Sequence, residues 1–170
     1  ERKVLRDLGV KFGRYHVFLH RLIKPEAVSL RTLLWKNFLQ KHFDLKPPVF
    51  GLNFLNDENF NNKNFMLLCG FEKFANFFVR IDILERLFMQ IINSNLDEKK
   101  EVKLVPEMLN LLGCNKENFK KLVSAMGYKV SEKENEIFFK YIPVKNYKKT
   151  FEKKNVKENP FKVLKNLNLR

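Results

Sequence analysis

Two carboxylates have the spacing that acid–base chemistry would use. Asp82 and Glu85 lie three positions apart, between Arg80 and Arg86. On a helix they would occupy one face, about one turn apart. Acid–base catalysis would need one of them to have a perturbed pKa inside a cleft. Because two arginines flank the pair, we interpret it instead as the charge-balanced N-terminus of a helix.

Ligands for a metal ion are few and dispersed. Cys69 and Cys114 are far apart, and the three histidines lie towards the other end of the chain: His16, His20 and His42. A zinc site needs several such ligands at close spacing, so we predict no metal site. We expect two buried free thiols in a reducing compartment, which favours a cytoplasmic location. His16 and His20 are expected at the surface or its rim, because no carboxylate or cysteine lies near them in sequence.

Motifs for nucleotide chemistry and acyl transfer are absent from the sequence. It contains no G-x-x-x-x-G-K-[ST] loop, no G-x-G-x-x-G after a strand and no G-x-S-x-G elbow. We therefore predict no catalytic residue and no cofactor in this chain. No apolar run approaches the roughly 18 residues of a membrane span, and no signal peptide is visible, so we expect no membrane partner. The first residue is Glu1, and we expect a processed chain or a fragment of a longer protein.

The elements that would position a binding site are clearest from residue 77 onward. The β-branched and aromatic run 77–81 predicts a strand. Apolar residues at helical spacing predict a helix that begins at Asp82. Pro106 suits the first turn of a second, short helix, and Gly113 suits its C-terminus because glycine readily adopts positive φ.

A third helix and two strands complete this part of the chain. Asn115 can cap the third helix, and Gly127 would end it. Residues 128–130 and 137–141 indicate two strands joined by a polar loop. The order strand, helix, short helix, turn, helix and hairpin is typical of a winged helix-turn-helix domain.

The first half of the chain predicts a smaller strand–helix unit. Residues 12–19 are expected to form a strand or an extended turn-strand segment, and a long helix is predicted from Pro25 to about Phe43. We expect Trp35 in the core, although it could also stack on a base. The helix has a broad apolar face: Val28, Leu30, Leu33, Leu34, Trp35, Phe38 and Leu39.

The fold class predicted from these patterns is α+β, mainly helical, with a C-terminal winged helix-turn-helix preceded by the smaller unit. Residues 71–74 and 77–80 are expected to pair as a hairpin across Ala75 and Asn76. We divide the chain into four parts. Residues 1–46 are expected to form an N-terminal strand–helix unit, and residues 47–70 a connector with a short helix. Residues 71–143 are expected to form a winged-helix-like domain, and residues 144–170 a basic flexible tail with a short terminal helix.

The charge balance favours an anionic partner. The net charge is +14 and the pI is about 9.8, and residues 140–170 alone contain ten basic and two acidic side chains. The abundance of Lys, Asn, Phe and Ile is also what an AT-rich coding sequence yields, so basicity alone does not decide the function.

Exposed positions of the third helix and the hairpin carry five lysines. We predict that they contact phosphate, without reading sequence and with strong salt dependence: Lys116, Lys120, Lys121, Lys129 and Lys140. The polar hairpin tip, 131–136, is net acidic and opposes such contact. Nucleic-acid binding and a structural or protein-docking role are therefore both open.

The C-terminal tail ends in apolar residues at helical spacing. Phe161, Leu164 and Leu167 would lie on one face of one or two turns. Such a short helix is not stable alone, so we predict that these three residues dock on a partner.

Five stretches, in matching order over nearly the whole chain, resemble a segment near the C-terminus of alphaproteobacterial superfamily-2 helicases related to the mitochondrial degradosome RNA helicase. They are 8–13, 22–35, 79–87, 106–114 and 160–164. The resemblance implies a parent enzyme that unwinds RNA or DNA using ATP and magnesium. None of the family's ATP-binding or hydrolysing motifs has a counterpart here, so no catalytic residue is carried over. The chain also departs from the family at 74–77, where the family's turn tends to be rich in glycine.

The resemblance implies a non-catalytic C-terminal accessory region of a helicase-like protein. Its expected partners are RNA or DNA bound without sequence specificity, the upstream helicase core and a further protein. The alternative is a stand-alone winged-helix DNA-binding regulator. A third hypothesis, a ribosome- or RNA-associated basic protein, depends on charge alone.

Overall fold

The computed structural model describes residues 1–39, 45–57, 62–94, 101–133 and 136–141. Within these residues the chain forms six α-helices, one 3₁₀ turn and eight short strands in three antiparallel sheets. The mixed α and β class predicted from the sequence is thus confirmed. The predicted docking residues lie outside the described residues: Phe161, Leu164 and Leu167.

The N-terminal part is a helix, a small hairpin and a long helix. The hairpin strands pair antiparallel from Val10 with Leu19 to Phe12 with Val17. Of the two alternatives predicted for 12–19, the uninterrupted strand was wrong, because a tight loop at 13–16 reverses the chain; the structure has a turn followed by a strand. The elements are α1 Arg2–Asp7, β1 Val10–Phe12, β2 Val17–Leu19, a 3₁₀ turn His20–Ile23 and α2 Pro25–Leu39.

The middle part is a short helix beside a three-stranded sheet in the order β3-β5-β4. Its elements are β3 Phe54–Asn56, α3 Lys63–Leu68, β4 Phe71–Phe74 and β5 Phe77–Arg80. The predicted hairpin is confirmed, and Ala75 makes its tight turn with a φ of +50°. Strand β3 was not predicted, since its three residues are held extended by pairing with β5 rather than by a local pattern.

The C-terminal part contains three helices and a sheet in the order β6-β8-β7. Gly113 ends the second of these helices in the left-handed conformation, and Asn115 caps the third by accepting a 2.8 Å hydrogen bond from the Asn118 N–H. Both helix-end predictions are confirmed. The elements are α4 Ile81–Ser94, β6 Val102–Lys103, α5 Pro106–Leu112, α6 Lys116–Ala125, β7 Tyr128–Lys133 and β8 Glu136–Tyr141.

Two hydrophobic clusters meet at strand β5. Phe77 and Val79 point into the larger cluster, which α4, α5, α6 and the β6-β8-β7 sheet enclose. Phe78, on the opposite face of the strand, belongs to the smaller cluster beside α2 and α3. Because side chains alternate along a strand, β5 joins both cores. The inner faces of α6 and β8 meet where the Phe119 and Phe139 rings pack edge to face at 5.7 Å.

Helix α2 buries only one side. Val28 and Thr32 are buried, and Trp35 packs against the smaller cluster, with its ring 5.6 Å from that of Phe65. Most of the broad apolar face of this helix is left uncovered, because the smaller cluster contacts only a narrow strip of it. The remaining large apolar side chains are exposed: Leu30, Leu33, Leu34 and Phe38. In the part of the chain that is described, no helix has the length and apolarity to cross a bilayer.

Candidate functional site

Helix α6 buries one face and presents lysines on another. Phe119, Leu122 and Val123 are buried against the sheet, while Lys116 and Lys121 are exposed. This alternation follows from the helical spacing of the apolar residues. The helix thus offers two cationic side chains to an anionic partner.

Lys120, the third predicted lysine of α6, has a partner inside the fold. Its Nζ forms an ion pair with Glu132 of β7. Exposed ion pairs contribute little stability, about 0–1 kcal/mol. The ion pair between Lys120 and Glu132 nevertheless changes the surface potential, because the positive charge on α6 and the negative charge on the hairpin offset each other. Of the five predicted lysines, Lys120 is therefore the least available to a phosphate.

The hairpin places two lysines directly opposite each other. Lys129 of β7 and Lys140 of β8 are register partners, and both are exposed. They lie on the outer face of the sheet, because their neighbours Val130 and Phe139 face the core. Like charges directly opposite on a sheet are destabilising. Among the described residues neither lysine has an acidic partner, so this pair is a preformed site of positive potential.

The acidic tip of the hairpin is less repulsive than the sequence suggested. Glu136 of β8 pairs with Lys103 of β6, and Lys133 pairs with Glu101 at 3.0 Å. Together with the pair between Lys120 and Glu132, these contacts give a partner to each charged side chain that the structure describes at the tip: Glu132, Lys133 and Glu136. They leave the Lys129 and Lys140 pair as the unbalanced charge on the outer face of the described hairpin.

Glu85, one of the two clustered carboxylates, lies on α4 and contacts the loop between β1 and β2. Its side chain is 7% exposed and accepts hydrogen bonds from three consecutive backbone N–H groups. Those of Tyr15 and His16 are 3.0 and 2.8 Å long, and the third comes from Arg14. A carboxylate surrounded by backbone donors in this way fixes the loop to α4.

Gly13 permits this close approach. A Cβ at this position would lie 2.3 Å from Cδ and Oε2 of Glu85, which is far inside van der Waals contact. The backbone of Gly13 is not in the left-handed region. Glycine is required here for space rather than for its conformation.

His16 connects two acidic side chains. Its Nδ1 lies 2.8 Å from Oε1 of Glu85, and its Nε2 lies 3.5 Å from Oε2 of Glu72. No carboxylate lies near His16 in sequence, but the fold brings it two from 56 and 69 positions away, at a half-buried position. Glu72 also pairs with Lys63 at 3.6 Å.

The electrostatics of Glu85 favour its ionised form. Burial acts to raise the pKa of Glu85, but hydrogen bonds from the His16 ring and from three backbone N–H groups lower it below its ordinary value. Asp82 is held by a two-fold contact, from Arg80 Nε to Oδ1 at 2.7 Å and from Nη2 to Oδ2 at 3.1 Å. Both carboxylates thus have structural partners.

Both cysteines are free thiols; Cys69 is buried, as predicted, and Cys114 is half-buried. Burial raises the pKa of Cys69 and of Cys114 to about 11, although Arg31 opposes the shift at Cys69. Such thiols are poor nucleophiles at neutral pH. In the residues that the structure describes, no group of three or more His, Cys, Asp or Glu could hold a metal ion.

Comparison of the chain with protein-family models, curated proteins and solved structures gives no match.

Proposed function

We propose that residues 81–141 form a winged helix-turn-helix unit that binds nucleic acid without sequence specificity. The support is the chain order α4-β6-α5-α6-β7-β8 together with the sheet order β6-β8-β7. In this assignment α5 and α6 are the two helices of the helix-turn-helix, separated by a three-residue turn. Helix α6 is the recognition helix, and the β7–β8 hairpin is the wing.

The observation that carries the binding proposal is the pairing of Lys129 with Lys140. The two lysines lie opposite each other across the strands, and within the described chain no carboxylate offsets the repulsion between their charges. A phosphate group bound between them would offset it. Lys116 and Lys121 on α6 add two exposed charges to the same unit. Lysines bind the phosphate backbone as point charges and carry no base information, so the binding is to RNA or DNA in general.

The proposed role is that of a non-catalytic accessory region in a larger helicase-like protein. It would hold nucleic acid while an upstream helicase core supplies ATP hydrolysis. This part of the proposal depends on the family resemblance. It predicts that the chain alone binds nucleic acid but does not hydrolyse ATP.

The salt dependence of binding tests the lysine assignment. Replacing two phosphate-contacting lysines should reduce the slope of log K against log salt for duplex DNA by about 1.8, since each contact contributes about 0.9. The test variant is Lys129→Gln with Lys140→Gln, and the control is Arg2→Gln with Lys24→Gln, two exposed residues outside the proposed unit. Equal slopes for the two variants would exclude the hairpin as the contact.

Helix α2 favours a second function, docking to a protein. Leu34 and Phe38 are 57% and 83% exposed, and they continue an apolar surface with Leu30 and Leu33. An apolar surface of this kind is typical of interaction sites. The partner that the resemblance suggests is the helicase core. Leu34→Lys with Phe38→Lys should then abolish binding to that core in calorimetric titration and leave nucleic-acid binding unchanged.

The stand-alone regulator makes a different prediction. A regulator would prefer one duplex sequence by a factor of about a thousand or more over others. Binding that is equal for unrelated duplexes supports the accessory role instead. Competition between unrelated duplexes in one anisotropy assay separates the two functions.

A further inference from the structure

An open groove of about 860 Å³ runs between the β1–β2 hairpin and the outer side of α4. None of the five lysines assigned above lines it. Its apolar lining includes Phe12, Phe18 and Met89, and its cationic lining is Lys11, Arg14 and Arg86. The groove exists because Glu85 fixes the hairpin loop to one side of α4 and leaves the neighbouring side uncovered.

The positive charges of the groove are available to a ligand. Lys11, Arg14 and Arg86 are all exposed, and their side chains have no acidic partner within the described residues. Two acidic residues also line the groove, but both are engaged: Asp82 with Arg80, and Glu85 with the loop backbone and the ring of His16. The groove therefore presents three cations whose charges the fold does not balance.

From these features we infer that the groove binds a single-stranded segment of nucleic acid. Its bases pack against Phe18, which lies on the same face of the hairpin as Lys11, and against Met89. Its phosphates pair with Lys11, Arg14 and Arg86. Single-strand sites elsewhere combine aromatic stacking platforms with a basic track in the same way. The inference rests on the proposed nucleic-acid function for its class of ligand, but it uses a separate set of residues.

A duplex fits the groove less well than a single strand. The base faces of a duplex are stacked on each other, so a duplex could use the three cations but not the apolar lining. An acidic peptide could also pair with the arginines. It would leave the aromatic side chains without the flat partners that nucleobases provide, and the single strand is therefore favoured.

The test compares two sets of variants of the full chain on two probes. The probes are a fluorescent single strand of about ten nucleotides and a duplex of the same length, titrated across a salt series. The groove variant is Lys11→Gln, Arg14→Gln and Arg86→Gln. Its control removes three exposed charges elsewhere: Arg2→Gln, Lys3→Gln and Lys24→Gln. The lysine variant of the hairpin is measured in parallel.

The groove variant should bind the single strand at least tenfold more weakly than its control, with the salt slope reduced by about 2 because each single-strand phosphate contact contributes about 0.7. A separate Phe18→Ala change should weaken single-strand binding roughly tenfold, with no change in slope. Phe18→Ala should leave duplex binding unchanged, and the groove variant should lose less affinity for the duplex than for the single strand. Far-ultraviolet circular dichroism checks that each variant is folded.

Several results would overturn the inference. Single-strand binding equal to that of the control refutes the groove, even if the hairpin variant loses duplex binding and so supports the proposed function. An acidic peptide is titrated as a third probe; if the groove variant binds it more weakly than the control does, with single-strand binding unchanged, the groove is assigned to a peptide. If the unaltered chain binds neither probe, the proposed function and this inference both fail.

Discussion

Replacement of Gly13 by alanine should destabilise the protein through a residue 72 positions away, Glu85. The added Cβ would lie 2.3 Å from the carboxyl group, whereas ordinary contacts begin at 3.4 Å. The carboxylate must therefore retreat by about 1 Å. Its hydrogen bonds to Tyr15 and His16, now 3.0 and 2.8 Å long, would exceed hydrogen-bonding distance.

The expected cost follows from the hydrogen bonds that are lost. A hydrogen bond to a charged group contributes about 1.5–3 kcal/mol to stability. Loss of one or two of the four bonds that Glu85 accepts gives a decrease of about 3 kcal/mol in the free energy of unfolding. The reason is steric, because the backbone conformation of Gly13 is open to alanine.

The sign of the effect should reverse when Glu85 is removed. In a Glu85→Ala background the added methyl group meets no carboxylate, and alanine reduces the conformational entropy of the unfolded chain. Gly13→Ala should then be neutral or stabilising by about 0.5 kcal/mol. The coupling energy in the double-mutant cycle is therefore about 3 kcal/mol.

Urea unfolding of the four proteins, followed by the fluorescence of Trp35 and by circular dichroism, measures this cycle. Trp35 is the single tryptophan, and it packs against the smaller cluster. Additive effects of the two substitutions would refute the close packing of Gly13 on Glu85. A stabilising Gly13→Ala in the unaltered background would refute it as well.

Three further predictions follow from the same structure. The pKa of Glu85 is lower in the folded state than its ordinary value of 4.5, so the contribution of Glu85 to stability is present above pH 4.5 and is lost as the pH falls through the folded pKa. Glu85→Gln should therefore reduce the loss of stability at acid pH, as measured by urea unfolding. Cys69 and Cys114, with pKa values raised to about 11, should react slowly with a thiol reagent at pH 8 and much faster in urea. Phe38→Lys should change the unfolding free energy by less than about 0.5 kcal/mol, whereas Val28→Ala should cost about 1–3 kcal/mol, and equal costs would contradict the orientation of α2.

Local signals in the sequence predicted much of the C-terminal part. Pro106, Gly113 and Asn115 define the ends of α5 and α6 because each has a physical role at a helix terminus that a short window reveals. The turn at Ala75 was likewise found between two apolar runs. Strands β3 and β6 could not be found in this way, since two or three residues are too few to show a period and their partners are distant in sequence.

The candidate sites show the same division. Helical and strand periodicity indicated that Lys116, Lys121, Lys129 and Lys140 are exposed, and the structure has them so. Whether a lysine is also unpaired depends on the neighbouring strand, as the contact of Lys120 with the hairpin shows. A register drawn for the predicted hairpin could have indicated that Lys129 and Lys140 oppose each other.

No local sequence pattern indicated that Glu85 binds the backbone of the loop between β1 and β2. Its donors lie 69 to 71 positions away, in a loop whose hairpin was not predicted. The loop sequence, Gly13 followed by three residues of unrelated types, does not indicate that its backbone N–H groups bind a carboxylate. The groove beside α4 depends on the same long-range contact, so sequence alone could not indicate it.

The central claim is that α6 and the β7–β8 hairpin contact nucleic acid. Nuclear magnetic resonance of the labelled chain, titrated with a short duplex, tests it most directly. The amide signals of Lys116, Lys121, Lys129 and Lys140 should shift together and saturate at one concentration, and added salt should reverse the shifts. Duplex binding that shifts signals elsewhere and leaves these four unchanged would contradict the claim.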